Sequence, residues 1–487
     1  MLALLACVAV GGCAVGPDFQ SPVAPVGGDY VKASPPVTVA TRDVAGGEAQ
    51  RFTQGADIAQ DWWTLFHSAP LNALIEQSLA ANHDLKAAQA ALLAARENTL
   101  AQRGAYFPSV TAGFGATRTR TSGALAPTPS TNAVQYNLFT PQVSVAYSPD
   151  VFGLNRRTHE SLAAQEQAVR DQMLATYLTL TANVANAAIQ EASLRAQIDA
   201  TKQLIGINTE ILDAMTYQFS KGYVGQLEVA AQRSQLAQLS ATLPPLLTQL
   251  TQQRDLLAAL TGRFPNQASG EAIELSTLAL PQDLPLSLPS ALIEQRPDVL
   301  QAEANMHAAS AQVGVSIANR LPNIQLTGDA GNSSLTLSHV FGAGGGFWDL
   351  GAAVTAPVFQ GGSLLHQERA AKANYVQATE QYRATVLTAF QNVADTLTAL
   401  EHDAEGLQAA ATAADAAKVT LDLSERQWRA GYASHISLLN AEQAYQQASI
   451  SLIQAQASRY ADTTALFQAL GGGWWNRATI SEDKHAN

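Results

Sequence analysis

Residues 154–221 contain no proline and a single glycine, Gly206, and are filled mostly by Ala, Leu, Gln, Glu and Arg. At about 1.5 Å per residue, a helix over such a run is on the order of 100 Å long, which no compact domain needs. The chain then reverses in the motif KGYVGQ and returns as a helix over 227–260, where Pro244 and Pro245 are expected to kink or restart it. For 487 residues, length alone suggests several separate globules. A very long antiparallel helical hairpin points elsewhere.

The arrangement occurs twice. DLKAAQAALLAARENTLAQRGAYFPSV, from Asp84, aligns without gaps to DVLQAEANMHAASAQVGVSIANRLPNI, from Asp298, so that Ala88, Ala95 and Pro108 fall on Ala302, Ala309 and Pro322. ATYLTLTANVA from Ala175 shares seven of eleven positions with ATVLTAFQNVA from Ala384, and Gly222 and Tyr223 fall on Gly431 and Tyr432. Each repeat opens with helical spacing, the first holding Leu71, Leu74, Ile75, Leu79, Leu85, Ala88 and Leu92 in a helix expected to reach about Gln102. After Pro108, Val110, Ala112, Phe114 and Ala116 alternate with small or polar neighbours, as do Val143, Val145 and Tyr147. These read as two strands of one hairpin, ending in the SPDVFG turn. The second repeat has a strand pair around 324–327 and 348–358, and its own Gly- and Pro-poor run over 363–430.

The division expected is therefore a leader over 1–12, an extended segment over 13–60, repeat 1 over 61–262 with its β-hairpin about 109–150 and helical tip at 222–225, and a linker over 263–290. Repeat 2 follows over 291–470, with its hairpin about 323–358 and tip at 431–434, then a tail over 471–487. The fold class is mainly α with a β-hairpin part. Four strands cannot close a barrel, since the smallest membrane barrels have about eight. Open strand edges cannot sit in lipid, so if these hairpins are in a membrane the protein must oligomerise.

Composition narrows the function. Charged residues are 14% of the chain against 47% hydrophobic, and the net charge of −12 repels phosphate backbones, which excludes nucleic acid as a partner. Both cysteines, Cys7 and Cys13, lie in the first thirteen residues, so a disulfide framework and a Cys-based metal site are excluded. The apolar stretch of residues 1–10 is too short to span a bilayer and has the layout of an export signal. VGGCAVGPDFQSP resembles a bacterial lipoprotein signal, in which cleavage precedes a cysteine that is then acylated. On that reading Cys13 is the lipidated first residue. LLAC ending at Cys7 is a rival with a six-residue apolar core, and a small buried hydrophobe is the bland alternative for Cys13. Gly11 and the lack of Lys or Arg before the apolar run depart from the usual signal, so the true start is left open. There is no HExxH, GxSxG or GxxxxGK[ST], and the nine histidines are scattered, so neither an enzyme nor a cofactor is expected. Gly342, Gly344, Gly345 and Gly346 precede a strand rather than open a helix, which makes them a loop and not a phosphate cradle. Trp62 and Trp63 are expected to pack inside, and Trp348 to belong to an interfacial aromatic belt.

WWTLFHSAPLNALIEQSLAANHDL, RPDVLQAEANMHAASAQVGVSIANRLPNIQL, VLTAFQNVADTL and ALGGGW resemble the TolC/OprM-like outer-membrane efflux family, NodT-type lipoproteins of resistance-nodulation-division systems, over almost the whole chain. The resemblance implies a homotrimer whose twelve strands form an outer-membrane β-barrel continued by a periplasmic α-helical barrel. An equatorial belt would be built from 13–60, 263–290 and the tail. It implies a passive exit duct in the lipid bilayer, fed by a periplasmic membrane-fusion adaptor and an inner-membrane resistance-nodulation-division pump. The adaptor-docking tip is then Gly222, Tyr223, Val224, Gly225, Gly431, Tyr432, Ala433 and Ser434. The periplasmic gate falls on Tyr432, Ser437 and Asn440. Some relatives place an acidic ring near this tip, but HISLLNAEQ has Asn440 there, so gating is expected to rest on packing and hydrogen bonds, with Glu442 nearby. A type I secretion outlet and a non-conducting periplasmic coiled-coil lipoprotein are the alternatives.

Overall fold

The computed structural model describes residues 14–23, 30–31, 37–120, 135–267 and 273–476. The expected leader and Cys13 lie outside the described residues. Among those described, the principal helices are α1 (Ala69–Ala81), α2 (His83–Arg103), α3 (Leu154–Ser220), α4 (Gln226–Leu260), α5 (Pro289–Gln295), α6 (Pro297–Ala318), α7 (Ser363–Arg429) and α8 (His435–Ala469). The strands are β1 (Arg51–Gln54), β2 (Ser109–Arg120), β3 (Gln135–Tyr147), β4 (Asp283–Leu286), β5 (Asn323–Asn332) and β6 (Gly346–Thr355). They fall into two compact units, and each draws on both repeats. One holds Met1–Pro22, Ala91–Arg170 and Gln301–Tyr382; the other holds Val23–Ala90, Asp171–Leu300 and Arg383–Asn487.

The first unit carries an antiparallel sheet of order β2-β3-β5-β6. Pairing and the two-residue strand period put Val110, Val145, Gly328 and Leu350 on one face, with Ala112, Val143, Ala330 and Trp348 beside them. The neighbouring row on the opposite face is Thr111, Ser144, Asp329 and Asp349. One side is apolar and exposed, the other polar, and β2 and β6 end the sheet with free edges. The glycine-rich loop ends at the start of β6, as expected for a loop between strands.

In the same unit, Asp150 accepts from the backbone N–H groups of Asn155 and Arg156 at 2.9 and 2.8 Å and so caps the first turn of α3. The N-terminal segment is fastened beside that turn. The buried Arg157 guanidinium donates to Val15 O at 3.0 Å and pairs with Asp18 and Glu160 at 2.7 Å each. Phe19 stacks on His307 with ring centroids 4.3 Å apart, and the His307 ring lies 3.0 Å from the Glu160 carboxylate. A side chain on Gly16 would meet the Gly314 backbone at 2.4 Å, so the segment lies directly on α6.

The second unit contains the helical hairpins and a belt of irregular chain. The expected continuous first helix is divided at Asn82, whose backbone leaves the helix at ψ 132°. The Asn82 side chain accepts from Leu85 N at 3.0 Å and donates to Leu260 O at 3.1 Å, so it caps α2 and ties it to the end of α4. Of the two outcomes expected at Pro244 and Pro245, a kink or a restart, the restart needs correction: α4 continues through both. Its apolar face packs at this level, with Leu243, Leu246 and Leu250 against Leu194 and Ile198 of α3. Packing of that kind holds a helix whose backbone ladder has lost two donors.

The belt joins segments far apart in sequence. β1 pairs in parallel with β4, in register Arg51 to Asp283 and Gln54 to Leu286. Trp62 is fully buried and stacks on Phe467 at 5.2 Å, with Phe66 edge-on to it, so the tryptophan pair packs inside as expected. Arg459 is 1% exposed and serves backbone rather than carboxylates, donating to Leu400 O at 2.9 Å and Glu48 O at 3.2 Å. From the tail, Trp475 and Asn476 both donate to the Asp57 carboxylate, at 2.9 and 2.8 Å.

Candidate functional site: the paired helix turns

The two hairpin turns are built alike around the same Gly-Tyr pair. After α3, Gly222 adopts φ +78°, its N–H donates to Phe219 O at 2.9 Å, and Tyr223 N donates to Gln218 O at 3.0 Å. After α7, Gly431 adopts the same φ of +78°, donating to Trp428 O at 3.0 Å, and Tyr432 N donates to Gln427 O at 2.8 Å. This is the left-handed glycine termination that satisfies the last carbonyls of a helix. A side chain at either glycine would meet nothing within 4 Å, so the requirement is conformational rather than spatial.

The restart differs between them. Gly225 begins α4, and its N–H donates to the Glu228 carboxylate at 2.6 Å. Ser434 begins α8, its Oγ accepting from Ser437 N at 3.3 Å and lying 2.9 Å from Ser437 Oγ. Ser434 and Ser437 are therefore a capping pair. Tyr223 and Tyr432 stand 80% and 88% exposed, and Leu227 and Ile436 are exposed in the first turn of the return helices. Asn440 is also exposed on the single chain. Val224 is half-buried and packs against the core behind the turns; Ala433 is half-buried as well.

Between the two turns lies a groove of about 1190 Å³ lined by Tyr223, Leu227, Glu228, Trp428, His435 and Ile436 among others. Behind it Ile211, Met215, Val229, Leu421, Leu438 and Ala441 form a core drawn from all four helices. Two ionisable side chains are buried with it, His435 at 6% and Glu442 at 3% exposure. The residues expected at the tip are thus brought together at adjacent turns, while the buried pair escaped sequence reasoning. The only signal was a carboxylate one residue after Ala441, whose facing the sequence could not settle. No group of three or more potential metal ligands occurs among the described residues.

A sheet that is apolar on one face and open at both edges, carried with doubled helical hairpins, defines a channel-forming protein of the outer-membrane type. The chain belongs to the outer membrane efflux protein family: that family's model matches residues 74–263 and 288–472, more than half of the chain. It is 30% identical over 475 residues to the toluene efflux pump outer membrane protein TtgC of Pseudomonas putida, covering 96% of this chain and 94% of that one. It is 28% identical to outer membrane protein OprJ of Pseudomonas aeruginosa, covering 97% and 95%. Among solved structures, the outer membrane protein VceC of Vibrio cholerae matches with a TM-score of 0.79 at 25% identity, over 86% of this chain and 100% of that one.

Proposed function

We propose that this chain is the outer-membrane channel of a tripartite efflux pump, a passive exit duct for small solutes delivered by a periplasmic adaptor and driven by an inner-membrane transporter. The observation that carries the reading is the four-stranded sheet. Its apolar face suits lipid, and its two free edges require strands from further copies. Three chains would supply twelve strands, within the range of closed membrane barrels.

The tip roles rest on the turns just described. Tyr223, Leu227, Tyr432 and Ile436 expose apolar surface that a docking adaptor would cover, beside glycines that permit close backbone approach. Tyr432 and Asn440 are left without cover in the single chain, and we assign them to contacts between copies that close the duct. Ser437 joins the gate indirectly, through the cap it makes with Ser434. Cys13 is proposed as the acylated anchor, supported by the fastening of residues 14–22 to α3 and α6. Intact mass of the mature protein tests that assignment.

Planar-bilayer conductance of the detergent-purified protein tests the whole reading. Small, discrete openings that enlarge in Tyr432→Ala or Asn440→Ala are the expected result. A protein that stays soluble without detergent and never conducts leaves the non-conducting lipoprotein in its place, and unchanged conductance in both variants removes those residues from the gate.

A further inference from the structure

Glu442 lies on α8 two turns from His435, on the same side of the helix, and both face into the four-helix core behind the tip. Neither carboxylate oxygen of Glu442 and neither ring nitrogen of His435 has a hydrogen-bond partner. Around Glu442 the polar company is a single amide. Asn208 of α3 faces it and favours its charged form to a lesser degree than burial opposes it, the same amide donating to Leu204 O at 3.0 Å and accepting from Gln232 of α4 at 2.9 Å. From α7 the facing charge is another carboxylate, Glu425, itself paired with Arg429. His435 packs against the Trp428 ring, with the Glu228 carboxylate of α4 as its nearest counter-charge and Glu210 of α3 lining the same groove. Burial in such a place disfavours the charged form of each group, so the packed helices favour both side chains in the neutral state.

We propose that Glu442 and His435 are a two-sided proton lock: the two hairpins pack behind their turns only while both side chains are uncharged, and ionisation of either one separates them. The proposal rests on the reading of the turns as the closed end of a duct, and adds what controls that closure.

The signs are opposite for the two groups. Burial, with the neighbouring Glu425 charge, pushes the Glu442 carboxyl up to about 7. The packed form therefore loses stability as pH rises from the ordinary carboxyl range to about 7, and above that the loss is complete. Burial pushes the His435 imidazole below its ordinary value, partly offset by Glu228, so the packed form loses stability as pH falls through the ordinary histidine range. The lock is set at mildly acidic pH, below the about 7 at which the Glu442 contribution is lost, and releases on both sides.

Hydrogen–deuterium exchange of the full-length protein in detergent, corrected for intrinsic rates, reads the packing without any channel activity. Protection of the start of α8 and the end of α7 should be greatest in that window and fall on the order of 10-fold by about pH 7, with little further change above it. Glu442→Gln, which keeps size and removes the charge, should retain protection on the alkaline side; Glu442→Leu serves should Gln fail to fold. His435→Phe should retain it on the acid side. Bilayer conductance in parallel should show larger openings outside the window in wild type, with Glu442→Gln closed at alkaline pH. If Glu442→Gln and Glu442→Leu follow the wild-type exchange profile, the lock is overturned. If the exchange behaves as described and no form conducts, the lock stands and the channel reading falls.

Discussion

Gly431 and Gly222 show how little of a residue's role need be contact. With open space around both, their substitution tests backbone conformation alone, and Gly431→Ala should cost about 1–2 kcal/mol in detergent-phase thermal unfolding. Gly314→Ala should cost more, because its side chain would lie 2.8 Å from Arg157 Cγ and 2.9 Å from Val15 O. Asp403 poses a different test. Burial, together with the neighbouring Asp462 carboxyl, pushes it up to about 7. The folded unit should therefore lose thermal stability as pH rises from the ordinary carboxyl range to about 7, and Asp403→Asn should flatten that profile. The turn glycines were legible in the sequence because they repeat at one offset and stand alone between helical runs. Glu442, His435 and Arg459 were not. Helix α8 is filled with Ala, Gln and Ser and buries residues on several sides, so no single apolar stripe marks which polar side chains go inside.

At the scale of elements, the alternation in β2 and β3 carried a prediction that the register makes quantitative. Leu350 and Thr111 lie on opposite faces of one sheet. Leu350→Lys should cost about 2–4 kcal/mol in urea titration of folding into lipid vesicles, and Thr111→Lys little. Helices α3 and α7 were legible from missing prolines and glycines, since propensity summed over so long a run is decisive. The division of α1 from α2 had a local signal in Asn82, a capping residue, which the apolar spacing on either side concealed. β1 and β4 had none. Four residues each, RFTQ and DLPL, are too short to show a period, and their pairing is fixed by tertiary packing alone. The prolines of α4 mark the converse case, where packing against α3 overrides a strong local signal.

For the whole molecule, the free edges of β2 and β6 set the sharpest demand. Mass measurement in detergent should give three chains per particle, and a bulky or charged substitution along either edge should lower that number before it unfolds the helices. The repeat made this demand visible from sequence, because two equivalent hairpins of two strands are too few to close. What the repeat concealed is that the compact units do not follow it, each taking segments from both halves.

The parallel pairing of β1 with β4 has a consequence for biogenesis. Arg51 emerges early from the export machinery, and its partner Asp283 only after the entire first repeat has crossed. Until then Arg51–Gln54 have only the bridge from Val37 to Arg51 beside them, and the edge that β4 covers keeps its backbone donors and acceptors free. Chains cut short by premature termination before residue 283 never cover it. The belt therefore closes late: its first strand waits for a partner that lies past the midpoint of the chain.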